Sequence, residues 1–415
     1  MDWSFLIRNN SSLSVSTDTR NLPAGCVFFA LHGERFDGNK FAKQALEQGA
    51  ALAVIDNPEY ALPECTLLVE DTLLALQDLA RAWRRELGLP IVGITGTNGK
   101  TTTKELLATV LSTKYNLHYT QGNLNNQIGV PLTLLQITRA HEMAIVEMGA
   151  SHPGDIKELV DIAEPNCGLI TNVGRAHLEG FGSFEGVQNT KRELYDYLVA
   201  HQGTIFRNAD NPYLVEMENQ SVRCYTTLNN TTPHYTTLHH TTQLYTTGQM
   251  PDGTHLVGEY NAENVSAAIC VGEYFGISRE EALAAIRQYV PTNNRSQKMQ
   301  TANNQLIVDA YNANPTSMQA AINAFKGDTY ILGAMRELGE YSHLEHQNIV
   351  NMLAERKADT VFLVGEEYLQ TTSPYPVFEN VEKLHKHLEE QPIKGKNILL
   401  KGSRSTQMEK LLDVL

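Results

Sequence analysis

Residues 93–103 read GITGTNGKTTT, directly after the apolar run 89–92 and directly before a stretch with helical periodicity. A strand that passes through a glycine-rich turn into a helix is a mononucleotide cradle. Gly96 and Gly99 let the backbone fold around phosphates, Lys100 reaches the terminal phosphates as a point charge, and the hydroxyl of Thr101 or Thr102 can ligate magnesium. The generic spacing needs a glycine five residues before Gly99, where this chain has Ile94, so the loop is a variant of the common form. Nucleotide binding follows from it, but the chemistry has to come from other residues.

At 415 residues the chain has material for two to three domains. Its net charge of −14 and pI near 5.5 argue against binding nucleic acid or an anionic membrane surface, so any acidic substrate must be met by local cations. No run of 18 apolar residues occurs, and the start MDWSFLIRNN lacks a basic region followed by a long apolar core. The expectation is a cytoplasmic protein with no membrane insertion. Five isolated cysteines without C-x-x-C spacing support neither a disulfide framework nor a zinc site.

Residues 1–88 alternate short apolar runs (26–31, 51–55, 66–69) with helical patterns (39–48, 72–86) and read as a small α/β unit. A larger α/β region follows, with strands expected at 91–95, 143–148 and 168–173, whose ends carry the phosphate loop, Glu147 and His177. From about 295 a third segment repeats strand then helix, with strands expected at 306–310, 330–333, 360–364 and 397–400. Such alternation specifies a parallel sheet covered by helices. Pro315 suits a first helical turn with Asn314 as its N-cap. Thr-Thr pairs recur every five residues from Thr226 to Thr247, which reads as exposed strands or an insertion with no catalytic role.

Three side chains could add chemistry to the cradle. Lys191 shares an apolar helical stripe with Val187, Leu194, Tyr195 and Leu198. A buried ammonium is costly unless paired, neutralised or modified, and taken alone the residue also reads as a lysine whose stem packs while its head reaches solvent. Glu147 and His177 follow different strands of the expected sheet. With a phosphate-loop threonine they could hold magnesium against phosphates. Each taken singly is equally a solvated strand-end acid or a capping histidine.

Six segments in order, TGTNGKTTTKELL, GNLNNQIGVPLTLL, EMGASHPGDI, NVGRAHLEGFGS, DAYNANPTSM and KGSR, with coverage from Asp18 to the C-terminus, give a chain that resembles the Mur ligases, the ATP-dependent amide-forming enzymes of peptidoglycan synthesis. The resemblance implies three α/β domains. Residues 1–88 would grip a uridine nucleotide, 89–294 would be a central P-loop-type parallel-sheet ATPase domain, and 295–415 a Rossmann-like domain that brings the amino component and closes over ATP. DAYNANP and GNLNN point, within the family, to joining D-alanyl-D-alanine to UDP-muramoyl-tripeptide by way of an acyl phosphate, in a protein expected to be a monomer.

The same resemblance implies the site. Gly96, Thr97, Asn98, Gly99, Lys100, Thr101 and Thr102 would hold the ATP phosphates, Asn261 and Asn264 the adenine side, Asp309 the ribose, and Arg295 the phosphates from the third domain. Thr101, Glu147 and His177 match magnesium ligands. Lys191 matches a lysine carbamylated by carbon dioxide, which would turn a buried cation into a metal-binding anion. TDTR at 17–20 resembles the uridine-nucleotide site. The chain departs from the family at Asn294, where glycine is usual, and at Ala334, where aspartate is common. Rival readings are a sister ligase adding the third amino acid, a folylpolyglutamate-synthase-like enzyme, a nucleotide-switch ATPase and a UDP-sugar sensor.

Overall fold

The computed structural model describes residues 2–8, 10–226 and 240–415. Its strands are β1 Val15–Ser16, β2 Val27–Phe29, β3 His32–Gly33, β4 Phe36–Asp37, β5 Leu52–Ile55, β6 Thr66–Leu68, β7 Ile91–Thr95, β8 Leu117–Tyr119, β9 Met143–Glu147, β10 Cys167–Ile170, β11 Thr204–Asn208, β12 Thr241–Tyr245, β13 Gln297–Gln300, β14 Gln305–Asp309, β15 Thr329–Gly333, β16 Thr360–Val364, β17 Val377–Phe378 and β18 Asn397–Lys401. They form three main sheets, ordered β1-β2-β5-β6, β12-β11-β10-β7-β9-β8 and β13-β14-β18-β15-β16-β17, plus the hairpin β3–β4. In the three main sheets every pairing is parallel except β13 with β14. The chain is therefore α/β throughout, because parallel neighbours need helical crossovers and both faces of such sheets are covered.

The first two sheets share one core, joined by the helix Thr72–Leu87. Asp71 caps its start by accepting from Leu74 N (2.8 Å), and Gly88 ends it at φ +63°, where a side chain would be strained. The helix buries Leu76, Leu79 and Trp83, and Trp83 donates Nε1–H to the Ile137 carbonyl of the second unit (2.8 Å). Truncating a tryptophan seated like this to alanine costs about 3–5 kcal/mol. Arg84, also buried, donates to the Glu164 carbonyl (3.0 Å) and Asn166 Oδ1 (2.9 Å), so carbonyls beyond the helix Asp155–Ala163 replace its water.

The expected strands all form, with shifted ends that have local causes. The 168–173 run stops at Ile170 because Thr171 and Asn172 turn their side chains onto the Asn98 carbonyl (2.6 and 3.1 Å). The pattern at 39–48 opens as a 3-10 turn, Gly38–Phe41, capped by Asp37, before the helix Ala42–Glu47. Asn314 does cap the helix Pro315–Ala324, accepting from Ser317 N (2.9 Å). Of the Thr-Thr repeat, 241–245 forms the edge strand β12, while 227–239 lies outside the described residues. Among the described residues no helix is long and apolar enough to cross a membrane.

Candidate active site

Strand order β10-β7-β9 brings three strand ends side by side, with Thr95 opposite Ile170 and Ile94 opposite Glu147. Ligands collect at such carboxyl ends in parallel sheets. From the middle strand the chain enters the phosphate loop. Gly96 (φ +141°) leaves no room for a side chain beside Thr171, and Gly99 (φ +79°) precedes the helix Lys100–Leu111 with Asn264 Oδ1 2.5 Å from where a Cβ would lie. Both glycines are therefore required by backbone angle and by space.

Loop shape is fixed by Asn172 and Gly174, which the sequence reading did not assign, and by Asn264, which it gave to the adenine side. Asn172 accepts from Asn98 N (3.0 Å) and returns a hydrogen bond to the Asn98 carbonyl (3.1 Å). Thr97 Oγ accepts from Gly174 N (3.0 Å). Asn264 accepts from Thr103 Oγ1 (3.0 Å) and donates to Asn261 Oδ1 (2.9 Å), which ties the helix Asn261–Tyr274 to the loop helix. Lys100 Nζ donates to the carbonyls of Gly96 (2.7 Å) and Thr97 (3.1 Å). Burial pushes its ammonium down to about 8, with Arg295 adding to the fall and Glu147 opposing it.

Glu147 is buried at the end of β9. Its Oε1 accepts from Thr101 Oγ1 (3.2 Å) and Asn125 Nδ2 (2.8 Å), while Oε2 has no hydrogen-bond partner. Lys104 Nζ, wholly buried one turn beyond Lys100, lies 3.9 Å from that oxygen and donates to the Thr120 carbonyl (2.7 Å). Among the described residues no group of three or more His, Cys, Asp or Glu could hold a metal by itself. Magnesium does not need one, since it is ordinarily held by one or two protein oxygens together with phosphates and water. An orphaned carboxylate oxygen beside a threonine hydroxyl fits that requirement.

His177 occupies the N-cap position of the short helix Leu178–Phe181 at φ +51° without a capping hydrogen bond from its side chain, and its Nδ1 lies against the Glu337 carboxylate from the third sheet's loops, an ion pair when the imidazole is protonated. Burial lowers its affinity for a proton, with the Lys100 and Lys191 charges helping and Glu337 opposing. Lys191 is 2% exposed in the helix Phe184–Ala200, with Nζ 5.6 Å from the Phe181 ring centre. It therefore does not reach solvent, and the snorkelling reading fails. Burial and the Lys100 charge hold it well below the usual lysine range.

The third sheet faces the second across the same space. Asp309 ends β14 directly opposite Lys401 at the end of β18, and the two form an ion pair (2.5 Å) with Lys401 buried. Arg295 lays its guanidinium 3.9 Å from the Tyr311 ring centre. Asn314 Nδ2 donates to Asn98 Oδ1 (2.7 Å), Arg175 N to Thr316 Oγ1 (3.2 Å), and Arg175 pairs with Glu345 (3.4 Å), so the third unit is seated on the phosphate loop. One cavity of about 780 Å³ results, and its wall includes Thr97, Asn98, Gly99, Lys100, Thr101, Thr102, Glu147, His177, Asn261, Asn264, Arg295 and Asp309. Gly96 and Lys191 stand outside that wall. At 17–20, Arg20 is largely exposed and clasps Asp18, whose carboxyl it holds down at about 2.

Sequence models of the Mur ligase family match residues 14–84 (catalytic domain), 94–272 (middle domain) and 294–404 (glutamate ligase domain). The UDP-N-acetylmuramoyl-tripeptide–D-alanyl-D-alanine ligase of Bacillus subtilis (strain 168) is 36% identical over 429 residues, covering 96% of this chain and 92% of the relative. Among solved structures, a MurF from Acinetobacter baumannii superposes with TM-score 0.82 at 30% identity, covering 96% of this chain and 92% of that one. The Thermotoga maritima MurF ligase in complex with ADP also reaches 0.82, at 26% identity and 97% coverage of both chains.

Proposed function

The chain belongs to the Mur ligase family, and from that premise we propose that it is an ATP-dependent ligase joining D-alanyl-D-alanine to UDP-N-acetylmuramoyl-tripeptide, with release of ADP and phosphate. The observation that carries the reading is the single cavity in which the phosphate loop and Glu147 of the second sheet meet Asp309 and Arg295 of the third. A phosphate-binding site alone would serve a switch ATPase. A site covered by a second sheet has room for a second and a third substrate, which once bound would displace water that otherwise hydrolyses an activated intermediate.

We assign the phosphates of ATP to the loop 96–102 and to Arg295, the adenine side to Asn261 and Asn264, and the ribose to Asp309. The terminal carboxylate of the tripeptide attacks the γ-phosphorus as the bond to ADP breaks, and Lys100 and the loop N–H groups stabilise the charge that gathers on the phosphoryl oxygens. The dipeptide amine then attacks the acyl-phosphate carbonyl, the amine loses a proton, and phosphate departs with its oxygen. Thr101, Glu147 and His177 would hold magnesium, which when bound supplies charge neutralisation at the phosphates.

We further propose that Lys191 is carbamylated. Its depressed pKa favours the neutral amine, the form that adds carbon dioxide with loss of one proton, and the resulting anion would be attracted by the Lys100 charge that disfavours the ammonium. Residues 1–88 are assigned to the uridine nucleotide, 89–294 to ATP and 295–415 to the dipeptide, in a cytoplasmic monomer that recognises no nucleic acid. The test is phosphate release measured with each substrate omitted in turn. Release that requires both the UDP-tripeptide and D-alanyl-D-alanine supports the assignment, and release with ATP alone contradicts it.

A further inference from the structure

We propose that Arg404 receives the C-terminal carboxylate of the incoming dipeptide and so sets the direction in which that substrate lies. The inference rests on the ligase reading above and adds to it the residue that recognises the amino component. D-alanyl-D-alanine is a zwitterion. Its amine must reach the activated carbonyl beside the phosphates while its carboxylate, which phosphates repel, is held elsewhere.

The cavity wall offers four cations for such a carboxylate: Lys100, Lys401, Arg295 and Arg404. Lys100 is engaged by two loop carbonyls, and Lys401 is buried against Asp309. Among the described residues the side chains of Arg295 and Arg404 have no hydrogen bond or ion pair, and both guanidiniums gather on the Tyr311 ring, at 3.9 and 5.6 Å from its centre. Arg295 is the one assigned above to the ATP phosphates. Arg404 is left exposed and without a counter-ion in a chain of net charge −14. A planar guanidinium matches a carboxylate in two parallel hydrogen bonds, which a lysine cannot reproduce.

The neighbouring loop supplies the opposite charge. Arg404 follows β18, and Glu337 follows the adjacent strand β15. The two loops are bound together by Ser403 Oγ donating to the Ala334 carbonyl (2.8 Å) and by Arg336 Nε donating to Ser405 Oγ (3.2 Å). Glu337 lies against His177, on the reacting side of the cavity. A dipeptide spans about 7 Å, and adjacent strands lie about 4.8 Å apart, so one zwitterion can reach from loop to loop. Glu337 repels a carboxylate and attracts an amino group, which leaves the carboxylate to Arg404 and the amine to the phosphates.

The experiment compares D-alanyl-D-alanine with its C-terminal amide, which has the same length without the charge, in the wild type, Arg404→Met and Arg404→Lys. In the wild type the acid should exceed the amide in kcat/KM by roughly 10- to 100-fold, the range for a charged hydrogen bond. Arg404→Met should lose about that factor for the acid through KM, with the amide and the KM for ATP and UDP-tripeptide unchanged, and Arg404→Lys should fall between. Equal loss for acid and amide, or a rise confined to the KM for ATP, would overturn the inference while the ligase reading stands. A wild type that forms no product from any dipeptide would overturn both.

Discussion

Replacing the phosphate-loop lysine should make the ligand-free protein more stable. In the folded chain burial pushes the Lys100 ammonium down to about 8, from the 10.5 of a lysine in water. A difference of about 2.5 units at 1.36 kcal/mol per unit puts the cost of carrying that charge in the fold at about 3 kcal/mol. Lys100→Met removes this cost together with hydrogen bonds to the Gly96 and Thr97 carbonyls, and Thr97 lines a cavity that water can enter. Allowing about 1 kcal/mol for those bonds, the variant should gain about 1–2 kcal/mol at pH 7. Because the folded pKa is the lower one, the unfolded chain holds more protons between about pH 8 and 10.5, and wild-type stability at this site rises through that window. The variant's advantage is therefore full below pH 8 and fades above it. Urea unfolding at pH 7 and pH 9.5, read by far-ultraviolet circular dichroism, measures both points. With saturating nucleotide the order should reverse, since only the wild type gains from binding. A variant less stable than wild type at pH 7, or an advantage undiminished at pH 9.5, would refute the reasoning.

Lys191→Ala should be nearly inactive, with formate or acetate partly restoring phosphate release by standing in for the carbamate; full activity of the variant would count against carbamylation. Asn314→Ala removes the N-cap of the helix Pro315–Ala324 and should lower the third unit's stability by about 1 kcal/mol in urea melts, whereas no change would show the cap to be idle. Asn314→Asp keeps the cap but sets a carboxylate against Asn98 Oδ1, so X-ray scattering should report a more open molecule; an unchanged profile would argue that this contact does not hold the third unit in place.

The phosphate loop and the strands that position it were legible because a glycine turn between an apolar run and a helical pattern has few structural solutions. The place of Glu147 beside the loop was legible for a related reason, since strand ends in a parallel sheet are adjacent whatever their spacing in sequence, whereas His177 lies well past the end of β10, at the head of the helix Leu178–Phe181. Lys191 stood out by its apolar stripe, yet periodicity cannot tell a stripe's edge from its floor, and the Phe181 packing that seals it is a tertiary fact. Lys104 and Arg84 escaped notice altogether, because their backbone carbonyl partners leave no mark in a sequence and Glu147 and Asn166 reach them only in the folded chain. Asn125, Asn172 and Lys401 sat inside recognisable segments without their contacts being readable. Glu337 could be placed on His177 only once the third sheet was seated on the second.

The central claim is that ATP activates the tripeptide carboxylate before the dipeptide amine attacks it, and the fate of the carboxylate oxygens tests this most directly. With UDP-tripeptide labelled with ¹⁸O at its terminal carboxyl group, the account predicts that each phosphate released carries one labelled oxygen and that the new amide retains the other. Unlabelled phosphate formed alongside the pentapeptide product would contradict it.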